Sequence, residues 1–229
     1  MNWREFWNRE NSIYVNDRHR TLHDDRVARD IGALIESRDW IVLDYGCGEA
    51  SSAALVAEKC ATLHLFDTAP SVREHLRLRF TRNAKIEVRD EGGLAEIDDQ
   101  TLDLIVVNSV LQYLSQVEFE SFLDATRGKL KATGKLVIAD VIPKGAKATD
   151  DILALLKFAA TGGFFFAALG GLVTTFFSDY RKLRAQLGLA RYSQDETLAI
   201  FRGHGFNAER APKNIGHNQT RMMFVARQA

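Results

Sequence analysis

Several things are scarce in this sequence, and each shortage narrows its class. Only two cysteines occur in 229 residues. Cys47 and Cys60 stand in no CxxC spacing and no zinc-ligand pattern, so neither a disulfide framework nor a metal site is indicated, and the usage fits a reducing compartment. A dominant charge is also missing: 30 Lys and Arg balance 30 Asp and Glu. That balance argues against a dedicated nucleic-acid binder, which carries a basic face to neutralise phosphates. The first residues, MNWREFWNRENS, carry charges where a secretory signal needs an apolar run of about 7 to 15 residues, and the chain is read as cytoplasmic. Internal repeats and low-complexity linkers are absent, so a single domain over 1–229 is expected at this length.

What the sequence does have is alternation. Short runs rich in Val, Ile and Leu, at Trp40–Tyr45, Thr62–Asp67, Lys85–Arg89, Leu102–Asn108 and Lys135–Asp140, read as strands buried on both faces. Helical patterns separate them, at Ala50–Lys59, Val72–Phe80 and Gln116–Leu130, the last with Ser115 as N-cap and Gly134 at the reversal into the fifth strand. This order predicts βαβ units and a mostly parallel sheet with helices on both faces. Residues 1–39 are set apart by Trp3, Phe6, Trp7 and Tyr14 and a helix over Asp24–Ser37, and read as a lid. Residues 205–228 read as an antiparallel hairpin, Phe206–Arg210 and Arg221–Ala226, around a polar loop with Pro212, Asn214 and Gly216.

The most informative segment is Val42-Leu43-Asp44-Tyr45-Gly46-Cys47-Gly48-Glu49-Ala50, a buried strand ending in a glycine turn. In open α/β sheets ligands bind at the carboxyl ends of strands, where glycine lets the backbone approach closely. A dinucleotide fingerprint needs Gly or Ala where Ser51 stands, and Asp44 repels a pyrophosphate but attracts a cation, so sulfonium and ammonium groups fit better than phosphates. Two further acids, Asp67 and Asp90, follow the second and third strands. Each lies 23 residues after the previous one, which puts all three on one rim of the sheet. Cys47 reads as a small turn residue rather than a nucleophile.

The run VLDYGCGEA, Asp67 followed by Pro70, the stretch Asp90-Glu91-Gly92-Gly93-Leu94 and LDLIVVNSVLQYL together resemble the ordered motifs of class I S-adenosylmethionine (SAM) dependent methyltransferases, over roughly residues 38 to 142. The resemblance implies a Rossmann-like seven-stranded sheet of order 3-2-1-4-5-7-6, with a SAM-binding core over 40–142. It also implies that Asp44, Gly46, Cys47 and Gly48 face the methionine part of SAM, Asp67 and Thr68 the ribose, Asp90 and Glu91 the adenine, and that Asn108 and Ser109 line the cofactor. The stretch Asn108-Ser109-Val110-Leu111-Gln112-Tyr113 lacks the Pro-Pro-aromatic motif of enzymes that methylate bases or glutamine amides. It is similar to the small-molecule branch, with Gln112 where a His often stands, which leaves any general base unidentified. Tyr14 and His19 are the catalytic candidates. His19 and His23 either face the acceptor or lie on the surface, and His64 reads as packed or paired within its strand. A SAM-binding module or partner subunit without turnover is the alternative function.

The insertion over 150–192 departs most from a minimal enzyme. Residues 152–177 hold one charge, Lys157, and six of the 14 phenylalanines. The stretch is long enough for a membrane span, about 20 residues. A single span could not return the chain to the sheet, however, and Gly162-Gly163 and Gly170-Gly171 are expected to interrupt it. Two helices capping a pocket for a small apolar acceptor fit better. A peripheral membrane contact through 152–177, helped by Arg181, Lys182 and Arg184, and a homodimer interface are the competing readings.

Overall fold

The computed structural model of the chain describes residues 3–8, 14–176 and 188–229. Seven strands form one sheet: β1 (Ile41–Tyr45), β2 (Thr62–Phe66), β3 (Ile86–Arg89), β4 (Leu102–Asn108), β5 (Leu130–Val141), β6 (Phe206–Arg210) and β7 (Met222–Gln228). Their order is 3-2-1-4-5-7-6. The pairs among β1–β5 are parallel, and β7 runs antiparallel to both β5 and β6.

The continuous apolar runs follow from two covered faces. Leu43, Ile105, Val107, Leu136 and Ile138 point into one core, while Val42, Leu104, Val106, Val137 and Ala139 point into the other, as the two-residue period of a strand requires. The first face is covered by α6 (Gln116–Lys129) and α9 (Gln194–Gly203), through Phe119, Phe122, Leu123 and Phe201. The second is covered by α2 (Asp17–Gly32), α3 (Ala53–Ala57) and α4 (Pro70–Phe80), through Ala28, Ile31, Val56 and Leu76. A short α1 (Trp3–Trp7) and α5 (Glu91–Ala95) complete the core elements. Capping boxes of Ser115 with Glu118 and Ser193 with Glu196 start α6 and α9, satisfying orphan N–H groups at both helix starts.

Three boundaries differ from the sequence expectation, each for a local reason. The lid helix runs over Asp17–Gly32 rather than Asp24–Ser37, because the Asn16 side chain caps it by accepting the His19 N–H at 2.8 Å. The helix expected over Ala50–Lys59 shrinks to Ala53–Ala57, since Ala50 takes the left-handed region (φ 37°) and the Ser51 and Ser52 hydroxyls donate to Asp24 and Asp25 of α2. Strand β5 starts at Leu130, so Gly134 lies inside it rather than at a helix end. The register jumps from Leu102↔Leu130 to Leu104↔Lys135, and the extra residues fold back tightly enough that a Cβ on Gly134 would stand 2.8 Å from the Leu102 carbonyl oxygen.

The insertion forms two helices, α7 (Ala148–Gly162) and α8 (Phe165–Phe176). Gly163, at φ 73°, ends α7 in a left-handed cap. The second glycine pair does not break the run: α8 continues through Gly170 and Gly171, and Gly171 admits Val15, whose Cγ1 would lie 2.2 Å from an added Cβ. Ala159, Phe164 and Ala168 pack with Val15 and Leu22 in a small cluster that seats the two helices on α2. Among the described residues no helix is long and apolar enough to cross a membrane. The basic group Arg181, Lys182 and Arg184 lies outside the described residues.

The Gly134 contact gives a test of the fold. Gly134→Ala forces a Cβ against backbone atoms that cannot swing away, and overpacking of this kind costs about 1–3 kcal/mol. Urea unfolding should show a lower midpoint with an unchanged slope.

Candidate functional site

The turn after β1 is held by β2. The Phe66 carbonyl accepts the N–H groups of Gly46 at 2.7 Å and Cys47 at 3.0 Å, and the Asp67 carboxylate accepts the Gly48 N–H at 3.0 Å and the Ala69 N–H at 2.9 Å. Gly46 and Gly48 both take positive φ, 74° and 59°, where a Cβ is strained. At Gly46 a Cβ would also strike Val110 Cγ2 at 2.3 Å, while at Gly48 it would enter open space. The turn is therefore open at Gly48 and closed against Val110 at Gly46.

Asp44 stands beneath this turn, 8% exposed, and its carboxylate receives no hydrogen bond from the described residues. Burial and the nearby Asp67 push its pKa up to about 7. Asp67 is raised as well by burial, against the lowering effect of its two backbone donors and Arg73. Cys47 lies between them, and burial with the two carboxylates pushes its thiol well above the usual range, which keeps it protonated and unreactive. At the end of β4 the Asn108 Oδ1 is buried without a partner. A buried acid and an orphan amide oxygen around one glycine turn form a site short of positive charge and donors.

The other expected positions sit further out. Thr68 is exposed beside Asp67. Asp90 caps α5 by accepting the Gly93 N–H at 2.9 Å and faces Arg77 at 3.5 Å, and Glu91 pairs with Arg73 at 3.4 Å. Ser109 follows Asn108 with φ 61°. Arg73, absent from the sequence expectation, donates to the Asp67 carbonyl at 2.6 Å and so ties Glu91 to the end of β2. An arginine inside a helix of alternating charge gives no sequence signal for that role.

Tyr14 is linked to the segment after the turn through Asp24, and His19 packs on Tyr14 at 5.3 Å, but neither is arranged as a base. The Tyr14 hydroxyl donates to Asp24 at 3.3 Å, and Asp24 also receives Ser51, the residue following the turn. Burial and the acids Asp24 and Glu49 push the Tyr14 phenol far up, and burial raises Asp24 to about 6. His19 Nδ1 accepts the Val15 N–H at 3.3 Å, which places the ring proton on Nε2 and makes His19 a donor at that atom. His19 is buried, not a surface residue. Its ring stacks on Phe164 at 4.9 Å, and the His217 ring stacks on Phe158 at 4.6 Å. His19, His23 and His217 lie 5.8–6.4 Å from one another. Burial pushes His23 down to about 3 and His217 to about 4, so the group is neutral. His64 hydrogen-bonds Arg89 at 3.2 Å, a paired strand residue as expected, and His204 meets Asp124 at 2.7 Å.

Residues 42–134 match the methyltransferase domain family, whereas comparison with curated protein sequences gave no match. Among solved structures, the chain is similar to magnesium protoporphyrin IX methyltransferase from Synechocystis PCC 6803 with bound SAH, at 16% identity and TM-score 0.58 over 99% of this chain and 93% of that one. It is also similar to Burkholderia thailandensis 1,6-didemethyltoxoflavin-N1-methyltransferase, at 15% identity and TM-score 0.56 over 93% of this chain and 83% of that one. Mitomycin 7-O-methyltransferase gives 17% identity and TM-score 0.61, covering 100% of this chain and 61% of the other. Identities at this level speak for the fold alone. The family match begins in β1 and ends in β5, on a sheet of this order, so the part of the chain that it covers carries a methyltransferase domain.

Proposed function

We propose that SAM lies across the rim of β1, β2 and β4, and that the acceptor is a small, apolar molecule seated under α7 and α8. The observation that carries the first part is the buried Asp44 carboxylate, which has no donor among the described residues, beside a turn that is open at Gly48. A cationic ligand relieves that burial cost, and a phosphate would add to it.

The remaining assignments follow along the rim. Gly46, Cys47 and Gly48 border the methionine part, and Asn108 Oδ1 with Ser109 offers an acceptor to its ammonium group. Each Asp67 oxygen retains a free lone pair after its backbone bond, enough to accept a ribose hydroxyl. Thr68 flanks that ribose, and Asp90 and Glu91 border the adenine. SAM supplies an electrophilic methyl group on a sulfonium centre. The chain has to position the acceptor in line with that methyl and keep water away. Phe158 and Phe164, stacked on the neutral His217 and His19 rings, make the inner side of α7 and the start of α8 suited to an apolar partner. In this reading residues 1–39 are a lid, 40–142 the cofactor core, 150–192 the cap and 205–228 the closing hairpin of one domain. The outer side of the cap exposes Phe166 at 85% and Leu153 at 52%, the surface on which a membrane contact or a second copy of the chain would act.

Calorimetric titration tests the cofactor site. SAM and its demethylated product should both bind, and SAM affinity should fall by up to tenfold per unit as the pH drops below about 7, because the cation needs Asp44 ionised. Absence of binding by either at high micromolar concentration would refute the reading. Without ligand the sign reverses. A carboxyl raised from about 3.9 to about 7 favours the folded state only while protonated, so its ionisation costs stability as the pH rises through that window. Asp44→Asn should therefore raise the thermal midpoint of the free protein at about pH 8 while abolishing SAM binding. Asp67→Ala should weaken SAM binding at least about tenfold. It should also lower the thermal midpoint modestly, since it frees the Gly48 and Ala69 N–H groups.

A further inference from the structure

Asp140 is a strand-end carboxylate that the cofactor reading leaves unused. Strand β5 pairs with β7 through Ile138↔Phe224, and the next pair is Val141↔Met222. Ala139 and Asp140 thus stand opposite Met223 alone, a bulge of the kind that re-aims a side chain beside a functional site. Asp140 takes φ 59° and Ser109, across from it at the end of β4, takes φ 61°. Two non-glycine residues in the left-handed region at adjacent strand ends persist only when the surroundings impose them.

The imposed geometry is visible in the contacts. The Ser109 hydroxyl donates to Asp140 Oδ2 at 2.8 Å, and the Asn214 side-chain oxygen accepts the Asp140 N–H at 2.9 Å. The other carboxylate oxygen, Oδ1, faces Arg221 Nε at 3.9 Å, beyond hydrogen-bond reach. Arg221 is turned instead toward Asp151 of α7, whose two oxygens accept from Nη2 at 2.8 and 2.9 Å. The Arg221 Nε and Nη1 groups are buried without partners. Arg221 therefore meets Asp140 as a long ion pair without a hydrogen bond, its own hydrogen bonds going to Asp151, and Oδ1 accepts no hydrogen bond among the described residues.

Position completes the argument, which at this step rests on the cofactor reading above. Ala139 pairs with Asn108 across β4 and β5. With adenine toward β3 and the sulfonium over β1, the methyl group leaves toward β4 and β5, so Asp140 stands on the acceptor side of the rim. We propose that Asp140 is the general base of the reaction and that the acceptor is an aromatic or enolic hydroxyl. A lone pair of the hydroxyl oxygen forms the new O–CH3 bond while the S–CH3 bonding pair returns to sulfur, giving a neutral thioether. The hydroxyl proton passes to Asp140 Oδ1. A neutral amine is nucleophilic before it loses a proton, whereas a hydroxyl of this acidity gains most from a base positioned at its proton. Burial raises the Asp140 carboxyl, and Asp151 adds to the effect, against lowering by Arg221 and Ser109. That direction brings it closer to the acidity of a phenol.

A chromophoric phenol tests this without knowledge of the natural acceptor. The complex of the protein with S-adenosylhomocysteine is titrated with para-nitrophenol, and the ionisation of the bound probe is followed by its absorbance across pH. The wild type should bind the probe saturably and raise its apparent pKa by about one unit, because a carboxylate stabilises the protonated phenol. In Asp140→Asn, whose amide can donate, the shift should vanish or reverse, with S-adenosylhomocysteine affinity and thermal midpoint as controls that the rim is intact. If the asparagine variant unfolds, Ser109→Ala provides the second arm, since loss of one hydrogen bond to Asp140 should change the probe shift in the soluble protein. No saturable probe binding to the wild-type complex, or the same probe titration in the wild type and the variants, overturns the proposal while leaving the cofactor reading standing. Failure of S-adenosylhomocysteine itself to bind overturns both.

Discussion

The site depends on a carboxylate kept out of water without a hydrogen-bond partner among the described residues. Asp44 is buried at the end of a parallel strand whose neighbours on both sides are apolar, and the nearby acid, Asp67, makes its ionisation costlier still. A stability-driven core would not hold such a group, because burying an unpaired polar group costs free energy. The surrounding backbone is arranged to keep it there. Phe66 and Asp67 of one βα unit fasten the glycine turn of another, so adjacent strands assemble this end of the sheet together.

A second fastening holds the opposite side of the rim. The loop between β6 and β7 reaches three elements at once: Asn214 bonds the Asp140 backbone, the Gly216 N–H donates to Asp30 of α2, and Arg221 and Asn218 bond Asp151 of α7. His217 from the same loop lies flat on Phe158. The apolar helices are thereby tied to the sheet through its C-terminal hairpin. Helix α2, the α7–α8 pair and the β6–β7 loop meet around one group of neutral imidazoles, which offers apolar ring faces at neutral pH. Arg18 donates to the Gly162 carbonyl where α7 ends, a further tie between α2 and the cap.

The sheet was legible in the sequence because burial on both faces leaves a plain mark, a run of Val, Ile and Leu with a turn at its end. The three aspartates were legible for a related reason, since the period of the βα unit repeats in the chain. Asp140 carried the same strand-end mark as Asp44 and Asp67, yet the bulge that turns it toward Ser109 depends on pairing with a strand more than eighty residues later. The histidine group was hidden for the same cause: His19 and His217 meet only through tertiary packing, and their partners Phe158 and Phe164 sit in a stretch whose composition suggested apolarity alone. Gly170 and Gly171 misled in the other direction, as α8 runs through both and close approach to Val15 requires a small residue at Gly171. Asp90 follows β3 as its spacing implies, and that its side chain also caps α5 could not be read from the spacing.

The central claim is that Asp44 is an acid kept buried for a cation, and carbon-13 NMR of its carboxyl tests it most directly. In the free protein the signal should titrate near pH 7. With SAM bound the same signal should be ionised throughout the range above about pH 5, because a neighbouring positive charge favours the carboxylate. An Asp44 that titrates near the ordinary value of about 3.9 in the free protein, or that keeps its raised value when SAM is bound, would contradict the account.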